Sequence, residues 1–208
     1  WPSFYGSDTA VDETLERLGT DYIDLMILHQ PAGDYITGYR KLEDAHREGK
    51  LRAIGISNFS MEEVRRLIDE CEVVPALIQT ECHPHFPQTE FKEFLAQHNI
   101  ALQAWYPLGG RGNDSIMGEP LIGEIARAHG KSPAQVILRW HVQQGTIVIP
   151  GSKTPSHIAQ NIELFDFALA DEEMARIATL DKGDSIFHHT PEILERFARF
   201  VPDVDGQK

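Results

Sequence analysis

A rhythm in the chain constrains its fold more than any other feature. Short apolar runs begin at residues 23, 53, 77, 101 and 147, and stretches of helical period separate them. The runs are Ile23–Leu28, Ala53–Ser57, Leu77–Thr80, Ala101–Trp105 and Ile147–Ile149. They are apolar on both faces, as strands covered on two sides must be. The first three steps, of 30, 24 and 24 residues, each hold one strand and one helix. The last is longer because it carries a glycine-rich loop and two helices. Such alternation implies parallel pairing with right-handed crossovers, so the expected class is α/β.

The helical stretches carry their own start and stop signals. Ala10–Leu18 sets Val11, Leu15 and Leu18 on one face and stops at Gly19, and Tyr39–Glu48 runs to Gly49. Met61–Cys71 follows Ser60, with Glu63 placed to close a capping box. Pro133–Gln144 has Ser132 as its cap and Pro133 at the first helical position. Glu90–Gln97, Gly123–His129, Pro155–Glu163, Asp171–Leu180 and Pro191–Phe200 are the remaining helical stretches.

The strand ends separate two architectures. They read His29-Gln30, Ser57-Asn58, Gln79-Thr80-Glu81, Trp105-Tyr106 and Pro150-Gly151-Ser152-Lys153. In a barrel, function collects at the C-terminal end of every strand. An open doubly wound sheet concentrates it at one switch point. Polar or aromatic groups stand at nearly every end here, and no Gly-x-Gly-x-x-Gly follows the first strand. A (β/α)₈ TIM-barrel type is therefore favoured. A complete barrel has eight strands and typically about 250 residues. The 208 residues here supply about five strand–helix units. The expected organisation is an incomplete barrel over residues 1–182 and a C-terminal loop or tail over 183–208.

Charge argues against a nucleic-acid partner. Lys and Arg number 19 against 32 Asp and Glu, a net charge of −13, with no basic stripe. No apolar run approaches the roughly 18 residues that span a bilayer. The stretch from Trp1 to Asp8 has no signal-peptide pattern. Two cysteines, Cys71 and Cys82, are too few for a disulfide framework, which points to a reducing, cytoplasmic setting.

Three ordered segments carry a resemblance. Leu18-Gly-Thr-Asp-Tyr-Ile-Asp-Leu-Met-Ile-Leu-His29-Gln-Pro31 resembles the aldo-keto reductase pattern around the active-site histidine. Gly49-Lys-Leu-Arg-Ala-Ile-Gly-Ile-Ser57-Asn58-Phe59 resembles a second signature of that family. Ile149-Pro-Gly-Ser-Lys-Thr-Pro155 with His157-Ile-Ala-Gln160-Asn161 resembles the third. Gln30 and Gly33-Asp34-Tyr35 are most similar to bacterial members of the diketogluconate reductase type. The resemblance implies an eight-stranded barrel that binds NADPH and reduces aldehydes or ketones to alcohols by hydride transfer. Trp1 to Gly6 matches the family's Trp-x-x-x-Tyr-Gly, which follows its catalytic lysine. By that match the family's catalytic Asp, Tyr and Lys, and three strand–helix units, would precede residue 1. An N-terminal segment completing the barrel is then an expected partner.

The resemblance also implies roles. His29 bonds the carbonyl oxygen, and Trp1 lines the substrate pocket. Ser57, Asn58 and Gln79 hold the nicotinamide carboxamide, and Trp105 stacks on its ring. Leu108 and Gly109, in the loop Pro107-Leu108-Gly109-Gly110-Arg111-Gly112, approach the pyrophosphate with Arg111. Ser152 and Lys153 take the 2′-phosphate. The family commonly has Lys where Gly151 stands and Arg where His157 stands; Lys153 and His157 would substitute. Gln160 and Asn161 match the adenine-contacting pair. The tail shapes substrate choice or frays. Two rival readings stand beside this one. The chain could be a non-catalytic fragment with weak or no nucleotide binding, since Tyr5, Tyr22, Tyr35, Tyr39 and Tyr106 lack an obvious lysine partner. Or it could be a metal-dependent barrel hydrolase using Cys82, His83 and His85 with His29.

Overall fold

The protein is described by a computed structural model covering residues 1–109, 116–183 and 185–203. The strands β1 (Met26–Leu28), β2 (Ile54–Ser57), β3 (Leu77–Glu81), β4 (Ala101–Trp105) and β5 (Ile147–Val148) lie in one sheet in chain order. The pairs β1–β2, β2–β3 and β4–β5 run parallel. The helices are α1 (Ala10–Leu18), α2 (Tyr35–Arg47), α3 (Met61–Glu70), α4 (Thr89–Gln97), α5 (Pro120–His129) and α6 (Pro133–Gln143), then α7 (Pro155–Gln160), α8 (Asp171–Ala178) and α9 (Pro191–Arg199). A 3-10 turn covers Pro2–Phe4. The α/β class and the parallel sheet expected from the sequence are what the chain adopts.

Boundaries shift for local reasons. β1 starts three residues late because Asp24 turns outward to Arg52, 2.7 Å away, leaving Ile23 only an isolated bridge to Leu51. α2 starts four residues early because the Asp34 carboxylate caps it, accepting from the Thr37 amide at 3.1 Å. That adds Tyr35 and Ile36 to the buried face. α7 stops at Gln160, half the expected length beyond His157.

The chain divides into two compact units. The first comprises Trp1–Gln79, Phe94–Ile100 and the described residues from His188 onward; the second comprises Thr80–Glu93 and Ala101–Phe187. In the first, Ile54 and Ile56 of β2, Ile78 of β3 and Leu67 of α3 are buried. Tyr39 of α2 is sealed in as well, its hydroxyl donating to the Val73 carbonyl at 2.8 Å. The buried Glu43 carboxylate accepts from the Glu72 and Val73 amides, both at 2.7 Å, so the loop after α3 is fastened to α2. Ser60 and Glu63 form the expected capping box, a device worth about 1 kcal/mol.

In the second unit, Ile122 and Ile125 of α5, Val136, Ile137 and Trp140 of α6 and Ile177 of α8 form one core. α6 starts on a capping box of Ser132 and Gln135. Gln135 does more than cap: its amide nitrogen donates to the Gln160 and Glu163 carbonyls at 3.3 and 3.1 Å. Among the described residues, no helix is long and apolar enough to cross a membrane.

Candidate active site

In the first unit, β1 delivers His29 at its C-terminal end. The imidazole lies face to face with the Trp1 indole, centroids 4.5 Å apart and planes 16° from parallel. Trp1 also meets Phe197 and Phe200 at 5.6 and 4.8 Å. The α9 segment is thereby anchored on the aromatic side chain beside His29, and the His189 ring adds a hydrogen bond to the Gln30 side-chain oxygen at 3.1 Å. Desolvation against this surface lowers the His29 pKa below the usual imidazole value. A neutral imidazole offers one N–H donor and one lone pair.

The backbone that carries His29 is clamped next door. The Tyr5 hydroxyl donates to the Gln30 carbonyl at 2.8 Å and accepts from the Gln30 amide at 2.9 Å. Tyr5 can sit there because Gly38 of α2 has no side chain; a Cβ at residue 38 would lie 2.6 Å from Tyr5 Cβ.

Ser57 and Gln79 stand opposite one another in the β2–β3 register. The next residue, Asn58, turns into the left-handed region at φ 64° and donates its amide to the Gln79 carbonyl at 2.9 Å. Asn tolerates that conformation better than most residues. Ser57, Asn58 and Gln79 thus occupy neighbouring strand ends, Ser57 buried and the other two half-buried.

In the second unit, β4 ends at Trp105 and the chain reverses sharply. Tyr106 has φ 54°, Gly109 has φ 86°, and the Gly109 amide donates to the Tyr106 carbonyl at 2.8 Å. A left-handed aromatic residue is strained, and such strain concentrates at functional sites. Its result is that the Tyr106 ring lies 3.8 Å from that of Trp105. Trp105, Tyr106, Leu108, Met117, Ile149 and Gly151 line a mostly apolar cleft of about 410 Å³, a size suited to part of a small organic ligand. Gly109 is buried in the turn. Gly110, Arg111 and Gly112 lie outside the described residues.

Beyond the cleft rim, Ser152 Oγ accepts from the Thr154 amide at 3.1 Å, and Lys153 is exposed. His157 is exposed on α7, while Gln160 and Asn161 are half-buried at its end. α7 has six residues, so any attraction for an anion rests on the Lys153 charge rather than on a long helix dipole.

The imidazoles that suggested a metal have other partners. His83 Nε2 lies 2.9 Å from Glu81 and His85 Nε2 lies 2.7 Å from Glu119. Cys82 Sγ faces the Pro87 carbonyl at 3.5 Å. The described residues contain no group of three His, Cys, Asp or Glu side chains arranged to hold a metal. The tyrosines are similarly occupied. Tyr5 and Tyr39 donate to backbone carbonyls, and burial raises both pKa values. Tyr35 accepts from Arg66, Tyr22 lies beneath Arg52, and the Tyr106 ring lies against that of Trp105, tilted by 31°. Sequence reasoning missed the Tyr106 strain and the Phe197 and Phe200 contacts; neither has a local signal.

Similarity to known proteins agrees with this arrangement. The pattern of the Aldo/keto reductase family matches residues 6–115 and 118–182. An aldo-keto reductase of Mycolicibacterium smegmatis is 41% identical, aligned over 88% of this chain and 68% of its own length. Morphine 6-dehydrogenase of Pseudomonas putida is 42% identical over 95% of this chain and 72% of its own. The crystal structure of an aldo/keto reductase from Brucella melitensis superposes with a TM-score of 0.81 at 41% identity, covering 87% of this chain and 71% of that one. The strand-end residues, the parallel sheet and these matches lead to one assignment: the chain belongs to the aldo/keto reductase family.

Proposed function

We propose that the chain binds NADPH and serves the reduction of an aldehyde or ketone to an alcohol. The observation that carries this reading is the grouping of Ser57, Asn58 and Gln79 on neighbouring strand ends. A hydroxyl and two amides side by side can satisfy both the donors and the acceptor of a nicotinamide carboxamide. The cofactor, when bound, supplies the hydride.

The chain's own residues take the remaining roles. In the first unit, a neutral His29 donates its N–H to the carbonyl oxygen and orients it, and Trp1 forms the substrate wall. In the second unit, Trp105 presents a flat face to the nicotinamide ring. Leu108 and Gly109 lie along the pyrophosphate. Ser152 and Lys153 take the 2′-phosphate, while His157, Gln160 and Asn161 face the adenosine. Lys153 is what favours NADPH over NADH. A proton must also reach the developing alkoxide. No described tyrosine pairs with a lysine, so the donor is sought outside these residues. That same observation favours a second reading, in which the 208 residues bind nucleotide without turning it over. The acidic charge and the cysteine usage support a cytoplasmic setting.

Titration with NADPH, followed by quenching of tryptophan fluorescence, tests the reading. Saturable quenching is expected, and Lys153→Ala should weaken NADPH by about tenfold, the worth of one charge-assisted contact, while leaving NADH unchanged. Absence of quenching would sink the cofactor roles. Turnover of a small aldehyde by the same chain would remove the second reading.

A further inference from the structure

Glu81, the last residue of β3, has none of the roles above, yet it is only 3% exposed. A buried carboxylate is costly unless donors fill its lone pairs. Four do. Oε1 accepts from His83 Nε2 at 2.9 Å and from the Ile186 amide at 2.8 Å. Oε2 accepts from Ser185 Oγ at 2.7 Å and from the Phe187 amide at 3.0 Å. Burial alone would raise this carboxyl's pKa, but the donors outweigh it and hold the group below the usual value, hence ionised.

Three of the four donors belong to one strap, Ser185–Phe187, and Asp184 before it is outside the described residues. Upstream of it, Lys182 is tied separately. The Lys182 amide donates to the His85 carbonyl at 2.9 Å, and Lys182 Nζ reaches Glu119 at 3.4 Å. Ile186 adds little apolar burial, being 47% exposed. The strap's last residue meets one of the cleft's lining side chains: the Phe187 and Trp105 rings pack edge to face, centroids 5.7 Å apart at 75°.

We propose that Glu81 is a positioning residue for Trp105: by gripping the main chain at 186–187 it holds Phe187 edge to face with the indole and fixes the ring face offered in the cleft. The consequence for cofactor binding rests on the reading of Trp105 as the nicotinamide's stacking partner; the link from Glu81 to Trp105 does not.

The test separates the two. The 208-residue chain labelled with 5-fluorotryptophan should give three fluorine resonances, one for each tryptophan, with that of Trp105 identified by Trp105→Phe. Glu81→Gln turns an amide NH₂ toward backbone donors. It should shift and broaden the Trp105 resonance and leave those of Trp1 and Trp140 in place. NADPH affinity should fall about tenfold, the scale of a lost charged hydrogen bond. Phe187→Leu should move the same resonance and cost a similar factor. The double variant should bind no more weakly than the worse single, as expected for one coupled device. Ser185→Ala removes one donor and should give a smaller shift in the same direction; it decides the matter if Glu81→Gln does not fold. A Trp105 resonance unmoved by these changes, or losses that multiply in the double variant, would overturn the proposal. If the unaltered chain does not bind NADPH, the cofactor reading falls while the fluorine shifts still decide the role of Glu81.

Discussion

His29 in the first unit and His141 in the second both lose basicity through loss of water, and they share little else. His141 is wholly buried in α6, where desolvation lowers its pKa to about 3. Its Nε2 points at the Pro107 carbonyl, 3.3 Å away, and its Nδ1 has no partner among the described residues. With Nε2–H donating, Nδ1 carries only a lone pair, which is cheaper to leave unmet than an N–H. His29 is exposed at a strand end with one face on Trp1. A displaced pKa therefore marks desolvation, not function; access to a ligand distinguishes the two rings. His141 braces the turn that follows β4, whereas His29 is exposed.

Substitutions can break or sharpen this contrast. The largest effect is expected from His141→Ala, which opens a cavity against a core helix and should cost about 3 kcal/mol in urea unfolding. A cost below about 1 kcal/mol would show the ring to be dispensable. Next comes pH. Folded His141 titrates near 3 against an ordinary 6.5, so the unfolded chain takes up the proton first. Stability should fall as pH drops below about 6.5, by up to about 1.4 kcal/mol per unit. Glu81 has a depressed folded pKa, so its contribution is intact above its ordinary 4.5 and is lost only as pH falls through the lower folded value. Between pH 6 and 5 the slope should come from His141 together with His29, His85 and His189, whose folded pKa values are also lowered by desolvation, and should flatten in part in His141→Gln; an unchanged slope would contradict the assignment. His29→Ala, by contrast, should cost no more than about 1 kcal/mol, the loss of one aromatic stack. Smallest of all, His29→Phe keeps the stack on Trp1 and should stay within about 0.5 kcal/mol of the parent. A large destabilisation by either His29 variant would make that ring structural after all.

What the sequence discloses is what short range governs. Ser60 with Glu63 and Ser132 with Gln135 announce helix starts because both partners lie within one turn. Strand ends such as Ser57-Asn58 and Trp105-Tyr106 are legible because the apolar runs stop there. The start of α2 is hidden because Asp34 caps it directly after Gly33, ahead of the apolar pattern. The contacts that shape the candidate site are hidden for a different reason. Glu81 meets its strap more than a hundred residues downstream, and Trp1 meets Phe200 across almost the whole chain. No local propensity encodes such pairings; they exist only once the sheet has set its register. Tyr106 is the intermediate case: its neighbours predict a turn, but not that an aromatic residue takes the left-handed position.

The missing side chain at residue 38 gives the site a remote handle. Tyr5 fills that notch and holds both backbone groups of Gln30, next to His29. One methyl group added to the flank of α2 would displace the tyrosine before anything near a ligand changed. Variation at a helix position with no chemistry of its own can therefore shift the backbone that carries His29, and a search confined to residues beside that ring would overlook it.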